Sequence, residues 1–101
     1  MSKRIFSYEE AVALLPEAQR LTDEAVAAVE ALGDIESVPD EYHDIVTRWA
    51  ESIMKLGIDV KGVWLIDFDN GSGYYCWRYP ETSLQYFHGY EEGYRGRVKL
   101  N

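Results

Sequence analysis

The sequence predicts an α+β domain: an N-terminal helical hairpin packed on a small C-terminal antiparallel β-meander. Three observations carry this. Apolar residues recur at helical spacing as far as Leu56 and at strand spacing after Gly57. Turn-forming clusters at 69–73 and 80–82 cut the second part into short strands. Ten of the fourteen aromatic residues fall between Trp64 and Tyr94, in runs rich in the side chains that suit strands.

The first helix starts at a capping box. Ser7 can accept from the first free amides, Glu10 can reach back to the Ser7 amide, and Phe6 stands where a hydrophobic staple would. Leu14, Ala18, Leu21, Ala25, Ala28, Val29 and Leu32 make one stripe, with Val12, Leu15 and Val26 beside it. Pro16 interrupts the stripe and predicts a kink, or a short helix followed by another. Gly33 is a natural stop. Pro39 suits the first turn of the second helix, whose stripe is Tyr42, Ile45, Val46, Trp49, Ile53 and Leu56. A loop as short as 34–38 makes the pair a hairpin.

Beyond Gly57, 58–60 is a short strand candidate, and 63–68, 74–79 and 83–88 are better ones. Pairing Phe68 with Tyr74 across a five-residue turn puts Trp64, Ile66, Phe68, Tyr74, Cys76, Arg78, Leu84, Tyr86 and His88 on one face. Val63, Leu65, Asp67, Tyr75, Trp77, Tyr79, Gln85 and Phe87 fall on the other. A slip of one residue would mix the sets. Both faces are then largely apolar, and two helices cover only one. The tail from Tyr90 to Leu100 can supply part of a second cover and another copy of the chain the rest. Tyr75, Trp77, Tyr79 and Phe87 are the interface candidates, and a homodimer or another protein is the expected partner.

With 101 residues the chain is expected to be one domain, residues 1–56 helical and 57–101 meander and tail. Of its net charge of −8, −7 sits in the helical half, where twelve acidic residues face five basic ones. Such a surface repels nucleic-acid phosphates and anionic membranes. A single cysteine forms no internal disulfide and suits a reducing interior. No apolar leader follows Met1 and no run is long enough to span a bilayer, so a soluble, cytoplasmic protein is expected.

Chemistry points to the C-terminal third. Arg95 and Arg97 stand among three glycines, and Arg78 and His88 can aim into the same space from the sheet. Guanidinium groups in that setting bind a carboxylate or phosphate through paired hydrogen bonds. The candidate anion site is therefore Arg78, His88, Arg95 and Arg97, with Cys76. A metal site from His88, Asp67, Glu91 or Glu92 and Cys76 is a second possibility, although no zinc spacing is present. Cys76 could be a nucleophile if His88 and Arg78 lowered its pKa, but a lone cysteine in a strand is more often a small buried hydrophobe. No phosphate loop, serine triad or paired-carboxylate motif is visible, and no cofactor is expected.

The stretches 6–16, 56–61, 66–68, 76–78 and 86–97 carry a resemblance. Over nearly the whole chain they resemble the small prokaryotic proteins grouped as domain of unknown function 2203. Relatives have a longer helical region and a longer segment between the Asp-Phe and Cys-Trp strands, reduced here to the turn at 69–73. The resemblance implies a fold and a residue shortlist, with no reaction attached. The leading functional expectation is a non-enzymatic, self-associating or protein-binding module. The alternative is an anion or metal site in the C-terminal motif, with enzymatic activity left open.

Overall fold

The capping box forms. Ser7 Oγ accepts from the Glu10 amide and Glu10 Oε1 accepts from the Ser7 amide, at 3.1 and 2.9 Å. In the computed structural model, which describes residues 4–100, this box heads helix α1 (Tyr8–Leu32), and α2 (Pro39–Lys55) follows after a single 3-10 turn. Residues 1–3, where the reading of a missing leader begins, lie outside the described residues. Pro39 opens α2 in its first turn. Helix α1 runs unbroken through Pro16, so the expected division into two helices does not occur. Pro16 and Val12 both lie on its exposed side, where a carbonyl that loses its amide partner is hydrated at little cost.

Five strands follow in simple meander order: β1 (Asp59–Gly62), β2 (Leu65–Asp69), β3 (Tyr74–Arg78), β4 (Tyr86–His88) and β5 (Val98–Lys99). All neighbours are antiparallel. The sequence reading anticipated the first four and missed β5, two residues long, which returns from the tail to pair with Tyr86 and Phe87. The β1–β2 connection puts Trp64 in the left-handed region at φ 63°, a conformation costing an aromatic residue about 1–3 kcal/mol. Its ring stands edge-on to Trp49 at 4.8 Å, and its carbonyl accepts from the Tyr79 amide. These contacts hold it there.

The register of β2 differs from expectation by one residue, and the difference decides both faces. Asp69, not Phe68, pairs with Tyr74. The turn is residues 70–73, closed by Asn70 N–H to Gly73 O, with Asn70 Oδ1 accepting from the Ser72 and Gly73 amides. Asn70 thus satisfies three amide-level bonds within four residues, and Asp69 stays in the strand. Ile66 and Phe68 therefore share a face with Tyr75, Trp77 and Phe87. That face packs under the helices, against Phe6, Leu15, Ala18, Trp49 and Ile53. Leu65, Asp67 and Asp69 turn to the other side, with Tyr74, Cys76, Tyr86 and His88. The second face is polar, not apolar. The tail from Tyr90 to Arg97 lies over it.

The four interface candidates belong to the helix-covered face. Trp77 is buried in the core and gives its indole N–H to Glu81 O. Tyr75 and Tyr79 pack partly buried against the same core. Phe87 rests on Tyr75.

Between the helices one polar group is buried without cost. Thr22, which the apolar stripe passes over, gives its hydroxyl proton to Ala18 O and accepts from Trp49 Nε1, both at 2.8 Å. Thr22→Val should leave that indole N–H buried and unpaired, lowering stability by about 1–3 kcal/mol in urea unfolding. Thr22→Ser should retain most of it. Equal losses in the two variants would show that the packing, not the hydrogen bond, matters.

Candidate functional site

Asp67, Cys76 and His88 come from three adjacent strands and meet on the polar face. Asp67 sits opposite Cys76 across β2–β3. His88 sits opposite Tyr74 across β3–β4, two pairs along from Cys76. All three are buried, at 1, 0 and 3% exposure. One donor atom from each lies within 4.8 Å of the other two. A pocket of about 260 Å³ opens over them, walled by Lys61, Leu65, Tyr90, Gly93 and Tyr94.

The polarity of the contacts is unusual. His88 Nδ1 lies 2.8 Å from the Gly89 carbonyl oxygen. A carbonyl only accepts, so Nδ1 carries the proton. In the neutral ring Nε2 is then a bare lone pair, and it points at Asp67 Oδ2 at 2.9 Å. A lone pair and a carboxylate oxygen at that distance repel unless a positive charge lies with them. That charge is either an added proton or a bound cation. Asp67 Oδ1 has no hydrogen-bond partner among the described residues. Such a buried acceptor costs about 1–3 kcal/mol or more when left unpaired. Lys61 Nζ stands 3.9 Å from Oδ2, too far for a close bond, and rests instead over the Tyr74 ring at 4.0 Å.

Burial shifts the titrating groups. It raises the Asp67 carboxyl above its ordinary range, against the opposing pull of His88, the Cys76 thiol and Lys61. Burial, with the Asp67 carboxylate beside it, pushes the Cys76 thiol up to about 12, against Arg97. Arg97 Nη1 is 3.9 Å from the sulfur. The nucleophile reading of Cys76 thus meets the wrong electrostatics: the thiol stays protonated at neutral pH.

The remaining candidates divide. Arg97 is tied to Glu81 at 2.9 Å and lies over the rings of Tyr86 and Tyr94 at 3.9 and 4.3 Å, so it braces the tail beside Cys76. Arg78 is exposed, with its guanidinium 5.8 Å from the Tyr94 ring. Arg95 is exposed. The four basic candidates therefore do not converge on one anion. Glu92 is exposed and accepts from the Gly89 amide at 2.8 Å, so it latches the tail loop rather than joining the donors. A β-carbon on Gly89 or Gly96 would meet the Glu92 side chain, which accounts for those two glycines. Residues missed from sequence are Lys61, Tyr74, Asp69 and Tyr90. Tyr90 gives its hydroxyl proton to Asp69 Oδ1 at 2.7 Å and stands edge-on to Tyr74 at 5.1 Å. The alternation of Asp67 and Asp69 with Ile66 and Phe68 was the available signal.

An α+β domain with a helix-covered apolar sheet face and a tail-covered polar one, carrying a buried Asp-Cys-His cluster, defines the class. The chain belongs to the family described as an uncharacterized conserved protein (DUF2203), whose model matches residues 33–100. That span takes in α2, the whole sheet and the tail. No curated protein and no solved structure matches the chain. Among the described residues no helix is long and apolar enough to cross a membrane.

The raised thiol makes a direct prediction. At pH 8 an ordinary thiol with a pKa near 9.0 is about a tenth ionised, and one near 12 about a thousandfold less so. In protein freed of metal by a chelator, iodoacetamide should label native Cys76 far more slowly than the urea-unfolded chain. Its rate should still be rising with pH beyond 9. Prompt labelling of the native chain at neutral pH, read by mass spectrometry, would overturn the assignment.

Proposed function

We propose that this is a metal-binding protein in which Asp67, Cys76 and His88 hold one borderline divalent cation, Zn²⁺ being the best match. The observation that carries this is the buried trio of Asp67, Cys76 and His88 donors within 4.8 Å of one another, with His88 Nε2 set 2.9 Å from the Asp67 carboxylate while Nδ1 faces a carbonyl. A cation with those two groups as ligands turns a repulsive contact into two bonds. The pattern around the ring supports it, since metal-bound histidines generally give their other N–H to a carbonyl or carboxylate. The donor set of thiolate, imidazole and carboxylate is that of zinc sites. A bound cation also explains a thiol kept so near a carboxylate, because a coordinating thiol loses its proton outright. Three protein donors beneath an open pocket leave a fourth position for water or a ligand, the arrangement of catalytic rather than structural zinc.

The reading as a self-associating module rested on two apolar sheet faces. The register supplies one, and the helices cover it. The ion site is the reading that the geometry favours.

Protein purified without chelators or a histidine tag should carry close to one equivalent of metal in native mass spectrometry, or take up one on titration with Zn²⁺. Asp67→Ala, Cys76→Ser and His88→Ala should each weaken uptake by more than about a hundredfold. Free Zn²⁺ at about a hundred times its Kd should stabilise the wild-type chain by about 2.7 kcal/mol. A chain that stays metal-free and gains no stability from micromolar Zn²⁺ would leave the added proton as the charge in the cluster and sink the proposal.

A further inference from the structure

We infer that the open side of this cluster receives a small carboxylate, bound to the ion and clamped by the Lys61 ammonium. The inference rests on the metal reading above and names the class of ligand for the same site.

Four features of the pocket point this way. Lys61 is the only lysine or arginine among the described residues that line it. Its ammonium is held at the rim by the Tyr74 ring, and its nearest carboxylate oxygen is 3.9 Å away. A cation–π contact positions an ammonium without using up its N–H donors. The Tyr94 hydroxyl accepts from Arg97 Nη2 at 3.3 Å, so it keeps its own proton to give. Tyr90 has spent its proton on Asp69, and with Leu65 it forms an apolar wall.

Charge and size narrow the class. A divalent ion with a thiolate, a carboxylate and a neutral imidazole has no net charge left to offer. Among the described residues that line the pocket, the excess positive charge is then the single one on Lys61. A monoanion matches that one ammonium, while a phosphate dianion would call for a second cation. At about 260 Å³ the pocket is smaller than the usual drug-sized site. It takes a short carboxylate whose carbon chain lies against Leu65 and Tyr90.

The test uses Co²⁺ in place of Zn²⁺ on the full chain, with acetate and inorganic phosphate as probes. Co²⁺ should give an intense thiolate charge-transfer band, which reports the ion on Cys76. Acetate should then shift the d–d bands in a saturable way, and phosphate should need higher concentrations. Lys61→Gln removes no metal donor. It should keep the thiolate band and weaken acetate about tenfold. Arg95→Gln, an exposed change outside the pocket, should leave acetate binding as it was. A thiolate band with no response to acetate would overturn the carboxylate inference and spare the metal site. Phosphate binding more tightly than acetate, or Arg95→Gln weakening acetate as much as Lys61→Gln, would also overturn it. No thiolate band at all would bring down both readings together.

Discussion

The whole arrangement depends on where the β2–β3 turn closes. Side chains alternate along a strand, so the pairing of one residue decides the face of every other. Asn70 closes the turn on itself with its own side chain, and Asp69 is left as the last paired residue of β2. From that single choice Ile66 and Phe68 go under the helices and Asp67 goes to the opposite side. Had the turn been one residue longer, two buried carboxylates would face Trp49 and Ile53, and two large apolar side chains would face the tail. Neither arrangement would be stable, since unpaired buried carboxylates carry a heavy desolvation cost. Turn chemistry and the energetics of burial thus agree on one register.

The sheet consequently serves two solvents. On one side it is a hydrophobic surface closed by the helical hairpin. On the other it is a shallow polar layer, closed by a tail whose glycines let it fold tightly around Glu92 and whose Arg97 bridges Glu81 and the tyrosine rings. The polar layer is where the chain departs from the consistency seen elsewhere. It buries an acid, a thiol and an imidazole together and leaves an acceptor unmatched. Conflicts of that kind mark functional positions more often than structural ones.

Much of this was legible in the sequence. The α+β class, the capping box, Pro39 at the head of α2 and the meander order all followed from local patterns, because capping, turn and period signals act over a few residues. Pro16 does not divide α1, because the tertiary setting put the interrupted carbonyl on the wet side of the helix. The faces misled for a different reason. A turn of Asp, Asn, Gly, Ser and Gly closes over four residues or five with similar ease, and only the burial preferences of the flanking strand choose between them. The polar partners at 67 and 69 held that information, and reading them as one face would have placed Asp67 beside Cys76. His88 and Cys76 were recognisable as candidates. Lys61 was not, since nothing local shows that a lysine left unpaired between Val60 and Gly62 will rest on a tyrosine two strands away.

The three donors lie on neighbouring strands joined by connections of four and seven residues, and the helices contribute none of them. Contacts of such short range form early and quickly, hairpins in about 1–10 μs. An ion that gathers Asp67, Cys76 and His88 would therefore cross-link the sheet before the helical hairpin has docked on its other side. The order of assembly would then run from the polar layer outward, with the metal acting on the folding rate as well as on the final stability.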